Sequence, residues 1–483
     1  MSSIARLIMR FTYPLFAAVL TSLSMQTQAK GPSPYLPLQT SPEVEVQIER
    51  LLALTTNVPL TKPYKASEIL SKLPQIKDSH PLLHTQLTAY LSRYTKPAAI
   101  THLSASASYN DDTSKALPNQ RNINADSNYQ VSVGALAYIT PYAYVSVGAT
   151  YADDAGTIHT NTHLGFGHEY AQVELGYREH WFSPFQDSAV LVSTHAISSP
   201  SITVSNSKPI SKWNIRYEVF YSILEEQEGI RLGDQVTPGR PRHAGLHLSA
   251  TPLDFWTIGV NRTLQFGGGL RDPSIGDVFE AIFNPAGIDN VGDIDTSDDP
   301  NFEFGNQQAS ITSKVNFTWY TPISFYMEIG GEDTEGEKNF KLGNETLSAG
   351  LFLPQFRDNL ALRYEFTRWS TAWYVHPLYS GGLSNEGQIL GHFAGGERVF
   401  NDDTPSKTHS FNADWTLASG HIINTTFRII NNETSDVFDY DTAHELQLRY
   451  SKATRYGFFG TEVYAGRNVF GEQFARISAF FRW

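Results

Sequence analysis

The chain has 483 residues, 41% hydrophobic and 13% aromatic, with no cysteine and a formal charge of -13. Without cysteine, disulfides, thiolate chemistry and cysteine-ligated metals are excluded. The acidic balance argues against non-specific nucleic-acid binding, which needs a lysine and arginine surplus to neutralise phosphates.

Arg6 and Arg10 precede an apolar stretch from Phe11 to Leu20, and small residues lead to Thr27-Gln28-Ala29. Charge, short apolar core and small-residue exit are the parts of an export signal, so residues 1–29 are expected to be a cleaved leader. Pro14 interrupts the apolar core, which is too short for a membrane anchor, and no other stretch holds about 18 consecutive apolar residues.

Residues 30–100 carry a helical period. Ser41-Pro42 with Glu43 and Glu45 reads as a helix start, and Val44, Ile48, Leu51 and Leu52 recur at helical spacing. Residues 67–73 predict a short second helix. Pro81 opens a third, with Leu83, Leu87, Tyr90, Leu91 and Tyr94 on one face. The segment is too sparsely apolar to fold alone and is expected to pack on something larger.

From Thr101 the period becomes 2. Val131, Val133, Ala135 and Ala137 alternate with small or polar residues, as do Ala171, Val173, Leu175 and Tyr177. Leu360, Leu362, Tyr364 and Phe366 alternate with Ala361, Arg363, Glu365 and Thr367, and Leu446, Leu448 and Tyr450 with Glu445, Gln447 and Arg449. Such strands have one apolar and one polar face, which a soluble sandwich also shows. The connections are more telling. Short ones near 453–456, 418–420, 354–358, 321–323 and 252–254 alternate with long ones at 225–242, 264–306, 370–405 and 431–441, the signature of a transmembrane barrel. The expected fold is an all-β transmembrane barrel of about 18 antiparallel strands over 101–483, behind a small N-terminal α-helical periplasmic segment. The strand between Asp187 and Asn206 is the one on which that count hangs. Ile477, Ala479, Phe481 and Trp483 alternate with Arg476, Ser478, Phe480 and Arg482, and the terminal aromatic suits an interfacial girdle.

Several stretches carry a family likeness. They are Pro34-Tyr35-Leu36-Pro37-Leu38, the run from Gly176-Tyr177-Arg178-Glu179-His180-Trp181 to Asp187, Ser193-Thr194-His195-Ala196, and Gly259 to Gly269; His376, Tyr379, Gly381, Gly391 and His392 extend it. Over nearly the whole chain beyond the leader, the sequence resembles the Wzi family of capsule-assembly proteins. The resemblance implies an 18-stranded outer-membrane barrel with a periplasmic helical bundle, and a lectin-like role that holds capsular or other surface polysaccharide on the cell.

His180, Ser183 and Asp187 supply the residue types of a catalytic triad within one short stretch. Proximity in sequence is poor evidence for triad geometry, Ser183 precedes a proline and no oxyanion hole is evident, so a structured loop is the expectation and the protein is not expected to be an enzyme. Gly267, Gly268 and Gly269 lack the lysine and the following helix of a phosphate cradle and suit a tight turn. His243, His247, His376, His392 and His409 have no metal-ligand spacing, and no cofactor is expected. Asp289, Asp293, Asp295, Asp298, Asp299 and Glu303 form an acidic run in the longest loop, a weak calcium or magnesium candidate beside the simpler reading of a solvated loop.

The candidate polysaccharide-binding residues are Trp369, Trp373, Tyr374, His376 and Tyr379, whose rings suit the C–H faces of sugars. Arg240, Arg242 and Arg271 join them as bidentate partners for uronic-acid carboxylates. Expected partners are surface or capsular polysaccharide, outer-membrane lipid and lipopolysaccharide; no interface signature speaks to an oligomer. A sugar-selective or general porin-like channel is the competing reading, since eighteen strands can enclose an aqueous pore.

Overall fold

A computed structural model describes residues 31–483 except 285–302, 333, 336 and 337. Residues 1–29, expected to be a cleaved leader, and Asp289, Asp293, Asp295, Asp298 and Asp299 lie outside the described residues.

Eighteen strands form the wall. The first six are β1 (Ala98–Asn110), β2 (Tyr129–Thr140), β3 (Ala143–Ala152), β4 in two pieces (Gly156–His159 and Thr162–His168), β5 (Ala171–Tyr177) and β6 (Ser201–Ser205). Then come β7 (Arg216–Ile223), β8 (Arg242–Leu253), β9 (Trp256–Phe266), β10 (Gly305–Thr318), β11 (Pro322–Glu332) and β12 (Glu345–Arg357). The last six are β13 (Leu360–Trp369), β14 (Ser406–Thr416), β15 (His421–Asn432), β16 (Ala443–Thr454), β17 (Gly457–Arg467) and β18 (Gln473–Arg482). Each pairs antiparallel with the next, and β1 pairs with β18 from Ser104↔Arg482 to Asn110↔Arg476, which closes the ring. The two pieces of β4 both pair with β3 and are separated at Asn161, whose φ of 53° is left-handed.

The alternation expected from the sequence is present with its sides reversed relative to a soluble protein. On β10, Gln308, Ser310, Thr312 and Lys314 are buried, while Ile311 and Phe317 are exposed. On β13, Ala361, Arg363, Glu365 and Thr367 are the buried set. A wall that exposes its apolar residues and buries its charged ones is built to face hydrocarbon. Short turns at 141–142, 169–170, 254–255, 319–321, 358–359 and 455–456 mark one end of the barrel. The long connections 111–128, 178–200, 224–241, 267–304 and 370–405 mark the other. Exposed Tyr142, Tyr170, Trp213, Phe255, Trp319, Tyr320, Tyr456 and Trp483 ring the short-turn end.

The strand expected between 187 and 206 is only β6, five residues long. The residues before it, including the run Ala189-Val190-Leu191-Val192, leave the wall and are buried inside the barrel. Their β-like composition reads as strand, but Pro184 and Pro200 bracket a segment whose partners are side chains of the lumen rather than a neighbouring strand.

Three helices occupy the short-turn end: α1 (Pro42–Ala53), α2 (Ala66–Lys72) and α3 (Pro81–Leu91). Val44, Ile48, Leu51 and Leu52 of α1 pack with Leu87 and Leu91 of α3 and with Leu136 and Tyr144 of the wall, so the apolar stripe that was too small to stand alone is completed by the barrel. The polar side of α1 faces charges. Glu43 pairs with Arg482 at 2.8 Å, and Glu49 lies 3.7–3.8 Å from Lys62, Lys314 and Arg363. Tyr64 Oη also donates to Glu49 at 2.6 Å.

Inside the wall, aromatic rings lie over glycines of the directly paired strand. Tyr144 faces Gly165, Phe220 faces Gly245, Tyr326 faces Gly350 and Phe480 faces Gly460. A Cβ at Gly350 would stand 2.1 Å from the Tyr326 ring. The missing side chain is thus the space in which the ring lies, and the ring in turn sends Tyr326 Oη to Glu365 at 2.5 Å.

Gly350→Ala should displace the Tyr326 ring and destabilise the barrel by roughly 1–3 kcal/mol, read as a lower denaturant midpoint for unfolding in detergent; an unchanged midpoint contradicts the ring-over-glycine account. Burial pushes the Glu49 carboxyl up, but Lys62, Lys314 and Arg363 outweigh it and hold the group at about 2, below its ordinary 4.5. A carboxyl depressed in the folded state stabilises fully above its unfolded value and loses that contribution as pH falls through the folded value. Protection of α1 from hydrogen exchange should therefore weaken between pH 4.5 and about 2, a window in which Glu45, held by burial at about 7, is already neutral. Glu49→Gln should cost roughly 3–5 kcal/mol at neutral pH, because it strands buried cations, and should flatten that acid dependence.

Candidate functional site

The lumen is crossed by protein from end to end. From the short-turn side, Lys62 N donates to Trp181 O at 2.9 Å and Lys62 Nζ to Phe185 O at 2.8 Å, tying the helical segment to the connection 178–200. From the long-loop side, Tyr374 Oη donates to Val190 O at 2.6 Å and Ser193 Oγ to Gly391 O at 2.5 Å, tying 178–200 to 370–405. The wall holds the same connection: Asp187 pairs with Arg428 at 2.8 Å, and the amides of Gln186 and Asp187 donate to Glu365. Between these elements remains a polar cavity of about 180 Å³, lined among others by Arg121, Asp187, Arg363, Arg428, Arg449 and Arg476. Most of its arginines are neutralised in place: Arg121 by Glu179 at 2.5 Å, Arg428 by Asp187 and Arg449 by Glu462 at 2.6 Å.

The triad residues stand apart. Ser183 Oγ donates to Glu328 at 2.7 Å, His180 Nδ1 meets Glu218 at 2.8 Å with Nε2 facing Ser201, and Asp187 is on Arg428. Both nitrogens of His180 are engaged away from Ser183, so the bond that would activate a serine is not made. Trp181 and Phe182 are buried in the lumen. Burial holds the His195 and His392 imidazoles down, at about 4 and about 3, so both are neutral; His392 Nδ1 accepts from Ala394 N at 3.2 Å. Among the described residues no cluster of three or more potential metal ligands occurs.

The residues expected to bind sugar separate into two groups. Trp369, Trp373 and Tyr374 are buried with Val190, Leu191, Leu390, Phe393 and Ile430 in an apolar knot towards the long-loop end. His376, Tyr379 and Arg271 meet where 224–241, 267–304 and 370–405 converge. There His376 Nε2 lies 3.0 Å from Glu303, Tyr379 Oη donates to Gly267 O at 3.3 Å, and Arg271 donates to the carbonyls of Arg231 and Glu303. These five aromatic and imidazole side chains, expected to stack on sugar, are buried in this structure, because rings in a strand-end loop of a barrel this size have a lumen to fill. Gly267, Gly268 and Gly269 all have positive φ (67°, 89° and 58°) and make the tight turn expected of them, closed by Arg271 N donating to Gly268 O at 2.9 Å. Arg240 is exposed, and Arg242 is partly exposed and paired with exposed Asp272 at 2.9 Å.

The exposed rings at this end lie elsewhere. Phe438 (37% exposed) and Phe470 (38%) meet edge to face at 5.5 Å, and Tyr440 lies 5.1 Å from Phe438. Tyr440 is anchored by Oη to Asp402 at 2.5 Å and by Val399 N, beside Phe400, which is 68% exposed. The Arg467–Asp441 pair, half-exposed at 2.6 Å, borders the cluster. Sequence reasoning placed 431–441 in a long loop but passed over the aromatic spacing of Phe438 and Tyr440, which was the signal for this patch; Phe470 lies in a five-residue turn that gave none.

The structure matches that of Wzi from Escherichia coli, whose published description is an outer membrane protein involved in group 1 capsule assembly and a carbohydrate-binding β-barrel. The TM-score is 0.69 at 13% identity, covering 94% of this chain and 99% of that one. OccK10 (OpdN) of Pseudomonas aeruginosa and OccAB4 of Acinetobacter baumannii match at TM-scores of 0.46, with 13% and 9% identity; they cover 80% and 79% of this chain and 99% and 96% of their own. No curated protein matches the sequence. The family model described as capsule assembly protein Wzi matches residues 101–428, most of the barrel and the connections that fill it. With this match over more than half of its length, and with a closed eighteen-strand wall around a helical segment, the chain belongs to the Wzi family of capsule assembly proteins, integral barrels of the outer membrane.

Proposed function

We propose that this protein holds surface polysaccharide, capsular or closely related, at the long-loop end of its barrel, with that end outside the cell and the helical segment in the periplasm. The observation that carries the reading is the occupied lumen: the helices and the connections 178–200 and 370–405 are tied to one another and to the wall across the interior, which favours the rim as the working surface. Membership of a capsule-assembly family and the carbohydrate-binding description of the E. coli barrel support the same reading.

Exposed Phe400, Phe438 and Phe470, with Tyr440 behind them, give flat apolar faces of the kind that stack on sugar rings. Arg467 and the exposed Arg240 offer guanidinium groups to acidic sugars. Each contact is weak, but a repeating polymer engages many copies of the protein at once and is retained by avidity rather than by one tight site. The buried Trp369, Trp373, Tyr374, His376 and Tyr379 act here as the frame that fixes the rim. Lipopolysaccharide is the second neighbour this placement gives the protein.

Phe438→Ala with Phe470→Ala should lower affinity for the purified polymer by about thirtyfold if each ring contributes roughly 1 kcal/mol. Cells carrying the double variant should shed polysaccharide into the medium while making it at the normal rate; unchanged cell-bound polymer sinks the proposal. The full-length chain in a planar bilayer should conduct close to background, whereas a large, stable current replaces this reading with a channel.

A further inference from the structure

Within 267–304 the structure holds a helix absent from the sequence expectations, α4 (Ile275–Phe283), opened by a capping box in which Ser274 and Asp277 exchange side-chain and backbone hydrogen bonds. One side of α4 packs on the outer wall of the barrel. Val278, Ala281 and Ile282 cluster with Leu264 and Phe266 of β9 and with Phe304. Leu264 and Phe266 share the outward parity of Trp256 and Val260, while Thr257, Asn261, Thr263 and Gln265 between them are buried in the lumen. The helix therefore lies against the face that meets hydrocarbon, not over the mouth.

Its other side is equally apolar and uncovered. Ile275, Phe279 and Phe283, one turn apart, are 78%, 58% and 74% exposed, and Leu270 just before the helix is exposed too. At ~100° per residue, the apolar positions span an arc of roughly 200°, of which the wall occupies only part. Asp277 and Glu280 fall on the opposite side.

Height settles what meets this stripe. From Trp256 to Phe266, β9 climbs about 25 Å at ~3.3 Å per residue and ~40° of tilt, the full height of the apolar band of an outer-membrane barrel. Charge returns to the outer wall at this height: outward-facing Arg262 of β9 bonds Gln307, and Phe266 above it is paired in register with Arg242, which holds exposed Asp272. The helix thus sits at the outer edge of the band, with exposed Tyr221, Val219 and Leu248 on the outer wall below it.

We propose that α4 is an interfacial helix, lying along the outer boundary of the membrane with Ile275, Phe279 and Phe283 in the acyl chains of the outer leaflet and Asp277 and Glu280 toward water. It widens the lipid contact on one side of the barrel and gives the ring a preferred depth at its long-loop end, as the aromatic girdle does at the other.

The chain has no cysteine, so single labels are unambiguous. Full-length Phe279→Cys and Glu280→Cys proteins, each carrying an environment-sensitive fluorophore, are refolded into phosphatidylcholine vesicles containing a lipid with a spin label high on its acyl chain. Quenching at 279 should exceed that at 280 by roughly threefold, as expected of opposite faces of an in-plane helix. Phe283→Cys gives the same readout should the first variant fail to fold. Equal quenching at the two positions overturns the proposal. So does a 279 label that is shielded from lipid and transfers energy to a second labelled copy, since the stripe would then be an interface between barrels.

Discussion

A backbone amide or carbonyl in hydrocarbon has no water to bond, and each one left open costs several kcal/mol. Everything else in this protein descends from that constraint. It forbids a free strand edge, so β1 must find β18, and the seven paired positions from Ser104↔Arg482 to Asn110↔Arg476 close the ring. It also fixes the two faces of the wall, because residues that look outward must be apolar and their alternates must look into a ring wide enough to need filling.

Charged groups lining that interior are costly unless paired. The helices and the connections 178–200 and 370–405 supply the partners: Glu49 for Lys314 and Arg363, Glu43 for Arg482, Asp187 for Arg428. Closing the lumen and neutralising it are therefore one act. A channel of the same strand number would leave these groups to water; here they hold the contents in place.

The wall was legible because its period is 2 over many residues and its last strand ends on an aromatic. The helices were legible from Pro42 and from the stripe Val44, Ile48, Leu51. What the interior does was not. Periodicity reports which side of a strand a residue lies on, but a loop residue such as Trp373 reads the same whether it faces a ligand or fills a void, and only the third dimension separates the two. The same limit explains β6: Ala189-Val190-Leu191-Val192 has the composition of a strand, yet Val190 and Leu191 meet Tyr374, Leu390 and Phe393, far away in sequence. The small helix α4 did have a local mark, Ser274 with Asp277, which a long acidic loop obscured.

The Glu43–Arg482 pair joins residues 439 positions apart, the first helix to the last strand. Arg482 lies on the strand that seals the ring against β1, so the berth of α1 is complete only when the wall is closed. Closure and filling are thereby coupled: a fault in the seam between β1 and β18 is felt by the helix, and a fault in the helix is felt by the seam.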